Sequence, residues 1–222
     1  MNTPFFTDVI VRKPALLQAM LAFNGVAATA APPAPAWDVP GLDATALGEA
    51  LTQARGAGVL PWRPSSGAEE GFWDFSDESR RLAFLGAKEA ERLGLTFGVC
   101  VHAPELARII AREHVLSLRG ELGETLYRYC IQRGQYQLGG VRRFFLGRDV
   151  REPLPERMRR HGRLALALCC AGWPPALRGR AGTWAEADGA EGTPPEVRKA
   201  VWFGLKKLLL KEVAPQWAPC FD

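Results

Sequence analysis

Apolar positions recur along most of this chain with a helical period, and proline and glycine punctuate the runs. Pro14 followed by ALLQAMLAF predicts a short helix, because proline is pre-set for a first turn and Asn24-Gly25 suits a stop. Residues 26–40 are rich in alanine and proline, with Pro32, Pro33, Pro35 and Pro40, a composition that predicts a tether. Asp43 is placed as the N-cap of a second short helix, with Leu42 and Leu47 at hydrophobic-staple spacing and Gly56 and Gly58 at its end. Leu60-Pro61-Trp62-Arg63-Pro64 is expected to be extended, since each proline ring crowds helical backbone in the residue before it.

A longer helical body is predicted after Phe72-Trp73-Asp74-Phe75. Ser76 is placed as a cap, Asp77 and Glu78 suit the positive helix end, and Leu82, Leu85, Ala90 and Leu93 recur on one side until Gly94. Pro104 and Glu105 are expected to open the next helix. In it Leu106, Ile109, Ile110, Leu116 and Leu118 share a face opposite Arg108, Arg112 and Arg119. After Gly120, the stripe of Leu122, Leu126, Tyr129 and Cys130 runs to Gly134, and a weaker one joins Leu138, Val141 and Phe145.

Pro153-Leu154-Pro155 starts a helix in which Met158, Gly162, Ala165 and Cys169 step by four, three and four, letting a neighbouring helix come close. Trp173-Pro174-Pro175 breaks it, residues 185–195 read as a mobile loop, and Pro195-Glu196 open a last helix with Val201, Leu205, Leu208 and Leu209 on one face. Strand-like alternation outlasts about four positions only at Asp8–Arg12 and Thr96–Val101. The expected class is all-α: a compact multi-helix domain over 76–222, preceded over 1–75 by a segment with short helices and a Pro/Ala-rich tether.

Composition changes this picture little. A 222-residue chain that is 47% hydrophobic is expected to bury a real core, and a net charge of +4 is mild. The choice of cation is less ordinary: 22 of the 28 cationic residues are arginine, whose flat fork of donors suits carboxylates and phosphates. A GC-rich genome would give the same bias.

The five cysteines, Cys100, Cys130, Cys169, Cys170 and Cys220, form no CxxC pair and no even framework, so reduced and mostly buried thiols of a cytosolic protein are expected. Arg12 and Lys13 before the apolar stretch to Phe23 give the outline of a signal peptide. Gln18 and Asn24 interrupt it, and Asp8 lies in its basic region, so export is not the expectation. No run approaches the roughly 20 apolar residues that span a bilayer.

Site signatures are not found: there is no phosphate loop, GxGxxG turn, HExxH or GxSxG. His114 with Glu113 is one conceivable acid/base pair, but helical neighbours in sequence do not face each other. Cys100 with His102 lacks a group to orient the imidazole. Both are read as structural, so no catalytic residue, cofactor or metal is expected, and the chain is not expected to be an enzyme. Seven tryptophans are many, and those beside loops and helix ends are read mainly as packing.

The arginines are more suggestive. Arg142, Arg143, Arg148, Arg151, Arg157, Arg159, Arg160 and Arg163 fall within 22 positions. Such a run suits phosphate, an acidic protein partner or plain solvent, and the interleaved Asp149, Glu152 and Glu156 weaken the phosphate reading. Arg142, Arg143, Arg148, Arg157, Arg159 and Arg160 are taken as candidate partner-binding residues.

From about residue 80 to the end, the chain resembles the SctK family (YscK, OrgA) of type III secretion sorting-platform proteins. The resemblance is carried by Leu93-Gly94-Leu95, the helix through Ile109-Ile110, and Pro153-Leu154-Pro155 before the helix with His161-Gly162. It continues through Trp173 with Ala176-Leu177-Arg178, and the Lys/Leu-rich helix running into Val213-Ala214-Pro215-Gln216-Trp217 and Cys220-Phe221. Residues 1–75 lie outside it. The resemblance implies a helical, non-enzymatic cytoplasmic adaptor at the base of the injectisome, peripheral to the inner membrane. Its partners would be the inner-membrane ring protein SctD and the pod protein SctQ, with no small-molecule substrate, no nucleic acid and only indirect contact with membrane. The alternative on the same residues is a helical nucleic-acid-binding regulator using the 142–163 region.

Overall fold

A computed structural model describes residues 3–25, 71–146, 152–181 and 192–221. Every regular element among them is a helix, so the protein is all-α. The tether over 26–40, the helix from Asp43, extended Leu60–Pro64 and most of the 185–195 loop lie outside the described residues. Among those residues, no helix is long and apolar enough to cross a membrane.

By internal contacts the chain forms two units, Met1–Gly86 with Gln216–Asp222, and Ala87–Pro215. Residues 76–86, grouped with the helical body in the sequence reading, therefore belong to the first unit.

The first unit opens with α1 (Thr3–Arg12) and α2 (Pro14–Phe23). The alternation at Asp8–Arg12 is helical, with Val9 and Ile10 buried side by side. Helix α2 starts and stops where Pro14 and Asn24 predicted. The Asn24 carboxamide then accepts from Phe72 N at 2.7 Å and donates to Phe72 O at 2.8 Å, clamping residue 72 to the helix end. Phe23 meets Phe75 and Phe84 edge-on at 5.4 and 5.8 Å, and Phe84 stacks on Trp217 at 6.1 Å.

A 3-10 turn over Glu78–Phe84 follows in place of the expected α-helix from Ser76. Asp77 is its cap, accepting from Ser79 N at 2.9 Å, because the Ser76 hydroxyl is spent on Asp74 at 2.6 Å. Arg81, only 4% exposed, donates to Phe75 O at 3.2 Å and Cys220 O at 2.8 Å. The bond to Cys220 O and the Phe84–Trp217 stack tie the C-terminal segment into the first unit.

The second unit contains α3 (Ala87–Leu106), α4 (Arg112–Leu122), α5 (Glu124–Gln132), α6 (Arg142–Phe145), α7 (Leu154–Cys170), α8 (Pro175–Ala181) and α9 (Pro195–Leu208), the last continued by a π turn to Val213. Helices α3 and α7 are its axis. Residues 96–103 of α3 are all buried, so the middle of this helix has no solvent-facing side and shows little of the one-faced period that marks a surface helix.

Gly94, the expected stop, sits in mid-helix because α7 crosses there. A Cβ on Gly98 would lie 1.8 Å from Met158 O, and one on Gly162 would lie 2.0 Å from Gly94 O. The small-residue stripe of α7 thus meets Gly94 and Gly98. Leu106, Leu122, Cys130 and Met158 close a core beside that crossing, with Val99 and Ala103.

Pro104 also fails as a start, for it lies in the last turn of α3. Ile110 is consequently not on a buried helical face but in the turn before α4, 92% exposed. Gly123, with a φ of 78° that favours glycine, ends α4 and begins α5.

Candidate functional site

The arginine region is divided by the fold. Arg148 and Arg151 lie outside the described residues. Arg142 is half-buried and points inward, donating to Cys100 O at 3.2 Å and Gln135 O at 2.7 Å. The reason is local: Pro104 has no N–H for the carbonyl four residues earlier, which is that of Cys100, and Arg142 supplies the missing donor.

A double-mutant cycle checks this. Arg142→Ala is expected to lose about 1–3 kcal/mol of stability by leaving carbonyls without donors. Part of that loss should return when Pro104→Ala restores an N–H within α3. Equal losses in both backgrounds, measured by urea unfolding, would sink this account.

Arg157 also turns inward. Its guanidinium grips both oxygens of Glu105, with Nη1 to Oε2 at 3.1 Å, and its Nε donates to Glu152 O at 3.1 Å. Arg160 takes the Glu152 carboxylate at 2.9 Å. Arg159 faces outward and reaches Glu121 at 3.2 Å, and Arg143 is exposed. Of the six candidates, then, Arg142, Arg157 and Arg160 are engaged in holding the unit together, while Arg143 and Arg159 are presented to solvent.

Arg157 leads to a feature that the sequence reading missed. His102 Nε2 lies 2.9 Å from His161 Nδ1, and His102 Nδ1 lies 3.2 Å from Glu105 Oε2. The two rings are near-parallel at 5.0 Å, both buried, and Phe145 packs against His161 at 5.6 Å. A chain thus runs from His161 through His102 and Glu105 to Arg157, joining α7 to α3 and returning.

With Glu105 ionised, His102 presents its Nδ1 proton to the carboxylate and its Nε2 lone pair to the proton on His161 Nδ1. Burial lowers the pKa of His102, with Arg157 and Arg160 adding to the effect against the pull of Glu105. For Glu105, burial pulls upward, but hydrogen bonds from Arg157 and His102 more than offset it and its pKa falls. His102 and Glu105 stand three apart, the one part of this chain that helical spacing reveals. His161, 59 residues further on, is invisible to spacing.

The other candidates are chemically quiet. His114 and Glu113 are both exposed on α4. All five cysteines are buried and free. Burial pushes the Cys100 and Cys130 thiols up to about 12 and that of Cys220 to about 11, so they carry essentially no thiolate at neutral pH. Trp173 and Trp217 pack inside their units, as expected.

A last feature lies on the outside of the second unit. The end of α3 with α4 and α5 bounds an open groove of about 470 Å³, its apolar lining made by Leu106, Ile109, Val115, Tyr127 and Ile131. Arg119 and Arg128 stand on its rim and both hold Glu124, at 2.6 and 3.2 Å. No protein-family model, curated protein or solved structure matches the chain.

Proposed function

We propose that this protein is a non-enzymatic adaptor of the type III secretion sorting platform, linking the cytoplasmic part of the ring protein SctD to the pod protein SctQ. The reading places it in the cytoplasm against the inner membrane, reached through its partners. The observation that carries it is the apolar surface of the second unit. Ile110 is 92% exposed, Tyr136 75%, Phe203 56% and Leu116 54%. Large apolar side chains held in water, with arginines around them, suit recognition of other proteins. Of the residues that carry the resemblance, Gly94 and Gly162 lie at the α3–α7 crossing and Trp217 packs inside the first unit.

Crosslinking in secreting cells tests the proposal. The tagged full chain is expected to bring down both the ring and the pod protein, and its deletion to stop secretion. Recovery of neither would remove the reading. A mobility shift with duplex DNA that falls steeply with salt would transfer the arginines to a nucleic-acid role.

A further inference from the structure

We propose that the groove between the end of α3, α4 and α5 is the docking site for an acidic amphipathic helix of a partner protein. The proposal deepens the adaptor reading and rests on it only for who supplies that helix.

The shape comes first. The trough is open along its length, so it suits a row of side chains from a helix better than an enclosed small molecule. Its floor is apolar, and the lining residue Ile109 is followed in the chain by Ile110, which stands almost wholly in water, 92% exposed. Covering such a side chain removes its apolar surface from water, which favours docking. An incoming helix with apolar residues at i, i+3, i+4 and i+7 would supply that cover.

Charge then selects the occupant. Arg108 and Arg112 flank Ile110 two residues to either side, both exposed and without an ion pair among the described residues. Val115 and Arg119 line the groove, and Arg112 falls on the same line of α4 by helical spacing, one turn before them.

The acids nearby do not cancel this. Glu124 already accepts two bonds from Arg119 and one from Arg128, and Glu121 is held by Arg159. Glu113 falls to the side of α4 away from that line. Arg108 and Arg112, next in the chain to the groove's end, therefore offer spare guanidinium donors beside an apolar floor. Carboxylates flanking an apolar stripe are the matching chemistry, the charges setting approach and register and the floor setting affinity.

The test uses the full chain and two labelled synthetic helical peptides. One has Leu at i, i+3, i+4 and i+7 with Glu elsewhere, and in the other Lys replaces Glu. By fluorescence anisotropy the Glu peptide is expected to bind saturably, and the Lys peptide at least about tenfold more weakly. Ile110→Asp and the double variant Arg108→Glu/Arg112→Glu should each weaken the Glu peptide by at least about tenfold. Their melting temperatures should not change, since these side chains are exposed.

No binding, equal binding of both peptides, or binding untouched by either variant overturns the proposal. So does loss, in those variants, of binding to phosphatidylglycerol vesicles without any peptide preference, which would make the surface a membrane contact. The two readings fail separately. Ring and pod proteins recovered undiminished with Ile110→Asp would end the groove assignment alone, whereas selective peptide binding with neither protein recovered would end only the adaptor.

Discussion

Gly98→Ala and Gly162→Ala are each expected to destabilise the protein by about 2–4 kcal/mol, although alanine is the better helix former. The Cβ on residue 98 would sit 1.8 Å from Met158 O, and that on residue 162 would sit 2.0 Å from Gly94 O. In both cases the obstacle is backbone, which no rotamer change can move aside, so α3 and α7 must separate. Separation loosens the contacts that Val99, Leu166 and Leu168 make in the buried interior. The gain from helix propensity, about 1 kcal/mol, is too small to compensate.

Gly120→Ala in α4 is the control, because nothing lies within 4 Å of its would-be Cβ. It should be stabilising by up to about 1 kcal/mol. Thermal melts read both signs: for a chain of this size each kcal/mol moves Tm by roughly 2–4 °C. Similar, small shifts at positions 98, 120 and 162 would show that α3 and α7 are not closely crossed.

These glycines mark where sequence reading succeeds and where it stops. Helix α2 was legible at both ends because Pro14 and Asn24 act within one turn of themselves. The starts of α7 at Leu154 and of α9 at Pro195 were legible for the same reason. Gly94 and Pro104 are equally strong punctuation, yet α3 runs through both. What overrides them is distant in sequence: Gly162 needs the missing side chain of Gly94, and Arg142 replaces the missing N–H of Pro104.

The same limit governs the site. Arg157 and Arg159 look alike in a list of cations, but one turn of α7 sends the first inward to Glu105 and the second outward to Glu121. Helix class and the small-residue face of α7 could be read from spacing. The partner of that face, the histidine pair and the groove require the fold.

Acid should lower the stability of this protein in two stages, the first beginning near pH 6.5. The His102–His161 bond needs one lone pair and one proton between two ring nitrogens 2.9 Å apart, so a doubly protonated pair cannot keep it. Burial, with Arg157 and Arg160 nearby, holds the folded pKa of His102 below that of an exposed imidazole, near 6.5.

A group whose pKa is depressed by folding binds its proton more readily in the unfolded chain. Its contribution to stability is therefore complete above about pH 6.5 and shrinks as the pH falls towards the folded value, at up to about 1.4 kcal/mol per pH unit. Glu105 supplies the second stage. Its folded pKa is also lowered, against the pull of burial, by Arg157 and His102, so its stabilisation is present above the ordinary carboxylate range and disappears as the pH passes down through the folded value.

Urea midpoints between pH 8 and pH 5 should accordingly fall in the parent protein. The double variant His102→Gln/His161→Gln, which keeps polar groups without a titrating ring, should be flatter over that range. Glu105→Gln should lower stability throughout that range by depriving Arg157 of its carboxylate, yet retain the decline that begins near 6.5. A parent curve level from pH 7 to pH 5 would mean that the two rings do not rely on a shared proton in the folded state.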